Sequence, residues 1–225
     1  MLLSVIMPVY NEKNTVEITI SRVQEQPYEK EIIIVDDGST DGTREILNGL
    51  NEPNIKVILK KKNSGKGSSI KEAVRHASGE YCIIQDADLE YDPHDYQVML
   101  DLLLKDKADV VYGSRFLSRT RIFYFNHLLG NKIVNLCANA CFNTTFTDLE
   151  TGYKAFKSEI IKDFPFKSTS FGFEVEFTSH IIKKKLRVFE VPISYYGRTY
   201  EEGKKLTWKD GLKALYWIFY CKFFQ

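Results

Sequence analysis

A chain of 225 residues that is 44% hydrophobic and 27% charged has enough material for one large domain with a full core. Its net charge of +1 gives no general reason to expect nucleic acid, since the basic runs KKKNSGK (60–66) and KKKLR (183–187) are local and suit a solvated face. Cys82, Cys137, Cys141 and Cys221 form no CxxC pair and lack zinc-finger spacing to histidine, so reduced thiols of a cytosolic protein are expected.

The opening segment MLLSVIMPVYNE has only about eight apolar-leaning residues and no basic start, which makes it a first strand over 3–9 rather than a signal peptide. A helical pattern over 14–24 leads to a strand at 31–35, and VDDGSTDGT follows. Counting from Asp37, oxygen side chains fall at the first, third and fifth places with Gly42 at the sixth, as in the first half of an EF-hand loop. Asn48 stands where that loop needs its bidentate glutamate, and the preceding IIIV has strand character, so calcium is set aside. The two glycines permit tight backbone angles, and Ser39, Thr40 and Asp41 are N-cap residues for a helix over 41–50. A turn alone leaves unexplained why Asp36 and Asp37 stand together at the C-terminal end of a strand, where open α/β sheets bind ligands.

Strand 55–59, helix 66–77, strand 80–85, helix 93–104 and strand 109–112 continue the alternation, which predicts a mostly parallel sheet with helices on both faces. NSGKG (63–67) is not a phosphate-binding Walker loop, because Lys60 stands where its first glycine belongs and Gly67 where Ser or Thr holds magnesium. No GxGxxG follows the first strand, which argues against a dinucleotide-binding dehydrogenase. Lys66 either faces a site or is solvated.

In DADLEYDP (86–93), Asp86 and Asp88 point to the same side if the chain is extended. Two carboxylates just past a strand suit a hard divalent cation that keeps positions open for phosphate oxygens, and Glu90 continues the alternation as a third oxygen ligand. An acidic cap before Pro93 is the plain alternative. MPVYNE (7–12), VDDGSTDGT, NSGKG, DADLEYDP and VVYGSR (110–115) all follow C-terminal ends of predicted parallel strands, so the five segments converge on one sheet edge.

After Tyr112 the rhythm changes to a helix over 121–142, a strand over 151–156, a helix over 173–185 and a strand over 186–191, with no linker to separate a second domain. His127, Asn131, Asn135 and Asn139 recur every four residues as an uncharged polar column, which fits a lipid-phosphate path, a partner helix or an ordinary half-buried helix. Arg119 and Arg121 just before it suit an anionic headgroup. The terminal LTWKDGLKALYWIFYCKFF opens on a capping-box-like Thr207-x-x-Asp210, and its unbroken apolar core, 214–221, is far shorter than the ~20 residues that cross a bilayer. With Lys209, Lys213, Lys222, Trp208 and Trp217 it reads as an interfacial helix over 207–225, set against a main domain over 1–206. Packing on the body, or contact with a membrane-embedded partner chain, is the alternative.

The ordered set PVYNE, VDDGSTDGT, NxGKG, DADLExDP, GSR, DLETGYKAF, GFEVEF and VPISYYGRTYEEGKK spans nearly the whole chain. It resembles the family-2 glycosyltransferases, in the branch similar to dolichol- and polyprenol-phosphate mannosyl- or glucosyltransferases. The resemblance implies a GT-A type α/β fold with a mostly parallel central sheet, a UDP- or GDP-linked sugar donor, and Mg or Mn. It places Pro8, Tyr10, Glu12, Val35 and Asp37 around base and ribose, and Asp86, Ala87 and Asp88 along the donor with Lys66. Asp88 and Glu90 would hold the metal. Arg115, Arg198 and Lys204 would face the diphosphate or an acceptor phosphate, whose oxygens suit guanidinium forks.

The implied activity is an inverting transfer to a polyprenyl phosphate by a peripheral protein at the cytoplasmic face of a membrane. A phosphate acceptor is already anionic and needs no base. For a sugar hydroxyl in a surface polysaccharide or glycolipid, Asp148 is the first candidate base and Glu150 the second. A catalytically silent nucleotide-sugar-binding protein is the rival of another class, and intact Asp86, Asp88 and Arg198 argue against it.

Overall fold

The computed structural model of the protein describes residues 1–118, 124–170, 172–199, 201–205 and 208–225. Arg119, Arg121, Thr207 and the Trp208 side chain therefore lie outside the described residues. The elements in chain order are β1 (Leu3–Val9), α1 (Val16–Gln24), β2 (Lys30–Asp36), α2 (Thr43–Asn48), β3 (Ile55–Leu59), α3 (Lys66–Val74) and β4 (Tyr81–Ile84). After a 3-10 turn at Pro93–Asp95 come α4 (Tyr96–Leu104), β5 (Val110–Ser114), α5 (Phe125–Phe142), β6 (Lys154–Lys157), α6 (Ser158–Lys162), α7 (Phe173–Lys183), β7 (Val188–Pro192) and α8 (Trp208–Phe223).

One seven-stranded sheet runs in the order β3-β2-β1-β4-β6-β5-β7. β1 and β2 are almost continuously apolar and nearly fully buried, as central strands covered on both faces must be. β1 pairs in parallel with β2 and β4, β2 with β3, and β5 with β7. Two cores lie against the two faces, giving a helix-sheet-helix sandwich. Ile20, Leu47, Met99 and Leu103 bring α1, α2 and α4 to one face, and Ile70, Val134, Ile161, Phe177 and Ile218 bring α3, α5, α6, α7 and α8 to the other.

β6 departs from the parallel pattern: it runs antiparallel to both β4 and β5. The chain leaves β5 at the edge where the other parallel strands end, passes through α5, and re-enters the sheet from that same edge. The short helix α6 is an addition to the expected elements, its five residues giving too little periodicity to detect.

α8 does not stand apart from the body. Ala214, Ile218 and Cys221 join the core, a Cβ on Gly172 would come within 2.3 Å of the Trp217 ring, and Lys183 Nζ donates to the Cys221 carbonyl at 2.7 Å. Among the described residues α8 thus packs on the body. The opposite face of α8 shows Leu212, Tyr216, Phe219 and Phe223 to solvent, beside exposed Leu129 and Leu136 of α5.

The asparagine column of α5 divides in function. Asn135 donates to the Thr147 carbonyl and accepts from Leu149 N, both at 2.8 Å, while Asn139 donates to the Phe146 carbonyl and accepts from Phe146 N, also at 2.8 Å. Those two amides splint the loop before β6. Asn131 and His127, one and two turns before Asn135, line the central cavity instead.

Candidate active site

The parallel strands end on one edge, and there a single cavity of about 980 Å³ opens. Pro8, Tyr10, Glu12, Asp37, Lys66, Asp86, Ala87, Asp88, Glu90, Arg115, Arg198 and Lys204 all line it, so twelve of the fourteen expected site residues meet in space. Val35 and Asp148 are the exceptions. Val35 pairs with Pro8 across β1 and β2 and is buried in the core, so its side chain cannot border a nucleoside.

The two acids of VDDG both serve the local chain. Asp36 accepts from Gly38 N and Ser39 N at 3.2 Å, closing the turn after β2. Asp37 accepts from Ser64 N and Gly65 N, the latter at 2.7 Å, and pairs with Lys60 at 2.6 Å. Asp37 therefore pins the NSGKG loop while showing one edge to the cavity. Gly38 sits at φ +80°, and a Cβ there would lie 2.8 Å from Asn63 N, so only glycine lets the two loops meet.

Asp86 and Asp88 do not lie along an extended chain as expected. The chain bends over 87–90 just past β4, with Leu89 at φ +61° and Glu90 N donating to Asp88 Oδ1 at 3.1 Å. The two aspartates meet different cations. Asp86 pairs with Lys66 at 2.8 Å, and Asp88 with Arg198 at 3.2 Å. Lys66 also lies 3.5 Å from Glu174, and these two acids outweigh its burial and hold the ammonium charged. Gly152 makes room for the pair: a Cβ there would stand 2.6 Å from Asp86 Oδ2 and 2.8 Å from Lys66 Nζ. Gly152→Ala is accordingly expected to cut turnover about tenfold or more by spreading that pair, measured against Gly49→Ala, whose Cβ meets only an ordinary 3.4 Å contact.

Arg198 gathers the acids of the opposite wall. Its guanidinium reaches both oxygens of Glu12, at 3.1 and 3.2 Å, as well as Asp88, and its backbone N donates to Glu90 Oε1 at 2.7 Å. Lys205 joins Glu12 at 2.7 Å; sequence reasoning passed over it for its neighbour Lys204. Burial, with Glu90 and Asp86 nearby, pushes the Asp88 carboxyl up to about 7 against the pull of Arg198. Among the described residues no three His, Cys, Asp or Glu side chains form a metal cage. Asp88 and Glu90 still fit a hard divalent cation, because magnesium-type sites take one or two carboxylates and leave the rest to substrate phosphates and water.

Asp148 is fully buried and turned away from the cavity. Its carboxylate accepts from Arg115 N, Nε and Nη2 at 2.7 to 2.9 Å, and Glu190 holds its backbone N at 2.9 Å. It therefore does not sit where a base for an acceptor hydroxyl is needed; it fixes the guanidinium that does line the cavity. The signal was hidden because the partner lies 33 residues away. Arg115 also stacks 5.3 Å from the Tyr195 ring, and Tyr195 Oη donates to Glu90 Oε2 at 2.7 Å. Glu150, expected second, does line the cavity. Burial and then Glu174 push its carboxyl up to about 8, while burial lowers Lys154 to about 8. Glu174 was missed except within GFEVEF, although a carboxylate between the apolar Phe173 and Val175 is itself a signal.

The glycosyl transferase family 2 model matches residues 4–164. Among curated relatives, the glycosyltransferase AglJ of Haloferax volcanii is 32% identical over 200 residues, covering 86% of this chain and 63% of its own. The dolichyl-phosphate beta-glucosyltransferase of Saccharomyces cerevisiae is 27% identical over 226 residues, covering 86% of this chain and 66% of its own. The chain thus spans somewhat under two thirds of the length of these relatives. In fold it is similar to glucosyl-3-phosphoglycerate synthase from Mycobacterium tuberculosis in complex with Mn2+, UDP and phosphoglyceric acid. The TM-score is 0.70 at 19% identity, with 89% of this chain and 72% of that one covered.

Proposed function

The chain belongs to glycosyltransferase family 2, and from that premise we propose that it moves a sugar from a UDP- or GDP-linked donor to a polyprenyl phosphate with inversion at the anomeric carbon. One cavity supports this. Its inner wall presents Arg115, Arg198 and Lys204, and it continues outward between Leu128, Ile133 and Val134 of α5 and Leu212, Ala214 and Leu215 of α8. Guanidinium and ammonium groups facing the cavity, joined to an apolar groove, suit an acceptor with an anionic head and a hydrocarbon tail. The name of the yeast relative, a dolichyl-phosphate transferase, points to the same acceptor class.

The protein's own groups supply most of the chemistry. Arg115, held rigid by Asp148, orients the acceptor phosphate, whose oxygen is already anionic and attacks without a base. Arg198 and Lys204 stabilise charge on the departing nucleoside diphosphate, and Tyr91 and Tyr195, their rings 5.4 Å apart, line the same cavity. Asp88 and Glu90 would hold Mg or Mn, which supplies further neutralisation of that diphosphate.

No described helix is long and apolar enough to cross a membrane. The exposed faces of α5 and α8, with Leu136 at 70% and Phe223 at 68% exposure, support peripheral docking on a membrane, with Lys209, Lys213 and Lys222 near the headgroups. A membrane-embedded partner chain is the competing occupant of those faces. Incubation with UDP- or GDP-sugars, Mn2+ and a short polyprenyl phosphate is expected to yield the glycolipid, whereas the free polyprenol and soluble glycosides yield nothing. Product from hydroxyl acceptors alone would overturn the lipid-phosphate assignment, and absence of any metal-dependent donor turnover would leave a nucleotide-sugar binder.

A further inference from the structure

The chain between α6 and α7 runs behind the NSGKG segment in direct backbone contact. Ser68 N donates to the Thr169 carbonyl at 3.0 Å, and a Cβ on Gly67 would stand 2.8 Å from the Ser168 oxygen. Gly65, at φ +95°, lies so close to the Thr169 carbonyl that no side chain fits there. These two glycines flank Lys66, so the place of Lys66 follows that of residues 168–170.

That second loop is fastened from behind by Glu176, a carboxylate with no exposed surface that does not line the cavity. Its Oε1 accepts from Lys167 N and its Oε2 from Ser168 N, each at 2.9 Å, with Gln225 Nε2 a weaker third donor at 3.4 Å. Among the described residues no cation pairs with it. A carboxylate buried in this way depends on its two backbone donors, and it fixes them in return. Two residues earlier on the same helix, Glu174 faces Lys66 Nζ at 3.5 Å, beside Asp86 at 2.8 Å. α7 therefore grips Lys66 twice, once through a side chain and once through the backbone that Glu176 holds.

We propose that Glu176 is a positioning residue of the donor site: through the 167–170 loop it seats the Lys66 ammonium between Asp86 and Glu174. The consequence for binding rests on the donor assignment made under Proposed function, whereas the seating of Lys66 does not. Glu176→Gln leaves one acceptor oxygen for two N–H donors and turns an amide NH2 toward the second. The loop then draws back from Gly65 and Gly67, and Lys66 slips from its two acids.

Competitive acetylation of the ligand-free protein, read lysine by lysine by mass spectrometry, tests the seating directly. In Glu176→Gln the Lys66 rate is expected to rise at least about fivefold, because an amine released from two carboxylates loses its proton more readily. Lys157, paired with Asp106 and Asp109, and the fully buried Lys154 are expected to stay within about twofold of their wild-type rates. Glu176→Asp keeps both acceptor oxygens on a shorter stem; it is expected to fall between wild type and Glu176→Gln, and it carries the same readouts should the glutamine variant not fold. Calorimetric titration with UDP or GDP and Mn2+ then reads the consequence. Glu176→Gln is expected to weaken the Kd about fivefold in the wild-type background and less than about twofold in a Lys66→Met background, since the route ends at Lys66. An unchanged Lys66 rate overturns the proposal, as does a rise shared by Lys154 and Lys157, which would mean general loosening, or an equal loss of binding in both backgrounds. If neither UDP nor GDP binds the wild type, the donor assignment falls, while the acetylation rates still decide what seats Lys66.

Discussion

Asp88→Ala is expected to lower sugar transfer about a thousandfold or more in saturating Mn2+ while the protein stays folded and still binds bare nucleotide. Asp88 and Glu90 are the carboxylates proposed to hold a divalent cation, and such a cation contributes several kcal/mol of charge stabilisation to a departing diphosphate, where about 4 kcal/mol is a thousandfold. Folding tolerates the change because Arg198 keeps both oxygens of Glu12 and the Glu90 contacts after Asp88 is gone. Initial rates of glycolipid formation, with thermal melts on the same samples, provide the check. A rate within tenfold of wild type would remove Asp88 from the metal site.

Asp148→Ala is expected to act mainly on stability. The Arg115–Asp148 pair is bidentate at 2.7 Å and almost wholly inside, and removing one partner strands a guanidinium in the interior. Breaking a buried pair costs about 3–5 kcal/mol. For a chain of this length that lowers the melting temperature by roughly ten degrees. Were Asp148 a general base, the variant would melt normally and lose the acidic limb of its pH–rate profile, where the base is protonated. Melting curves of Asp148→Ala and Asp148→Asn decide between the two outcomes, since a base role predicts wild-type melting for both.

The strands of the first half were legible because each is a short Ile- and Val-rich run between turn residues, and β1 and β3 match their expected limits. The meeting of five segments at one edge was legible too, since a parallel sheet puts every strand exit on the same side. Pairings over long separations were not. Nothing in the spacing of Arg115 and Asp148, or of Lys66 and Glu174, marks them as neighbours; only the antiparallel entry of β6 and the docking of α7 bring them together. Asp148 could be named as functional from its motif, but its direction could not, because a buried clamp and an exposed base share one residue type. Leu89 is a similar case. Its left-handed backbone overrides the alternation that an extended DADLE predicts, and a leucine gives no warning of that.

β6 is the one strand of the sheet that begins where its parallel neighbours end. Asp37, Asp86, Asp88 and Arg115 follow strand exits, whereas Asp148, Glu150 and Gly152 precede a strand entrance. Residues on an exit loop are tethered to the helix that follows and are hard to replace without disturbing the sheet order. The entrance loop is hung by side-chain hydrogen bonds from Asn135, Asn139 and Glu190, so its length and sequence can be exchanged as a cassette. A lineage built on this sheet can therefore keep its nucleotide chemistry fixed while trading the sugars and acceptors it uses.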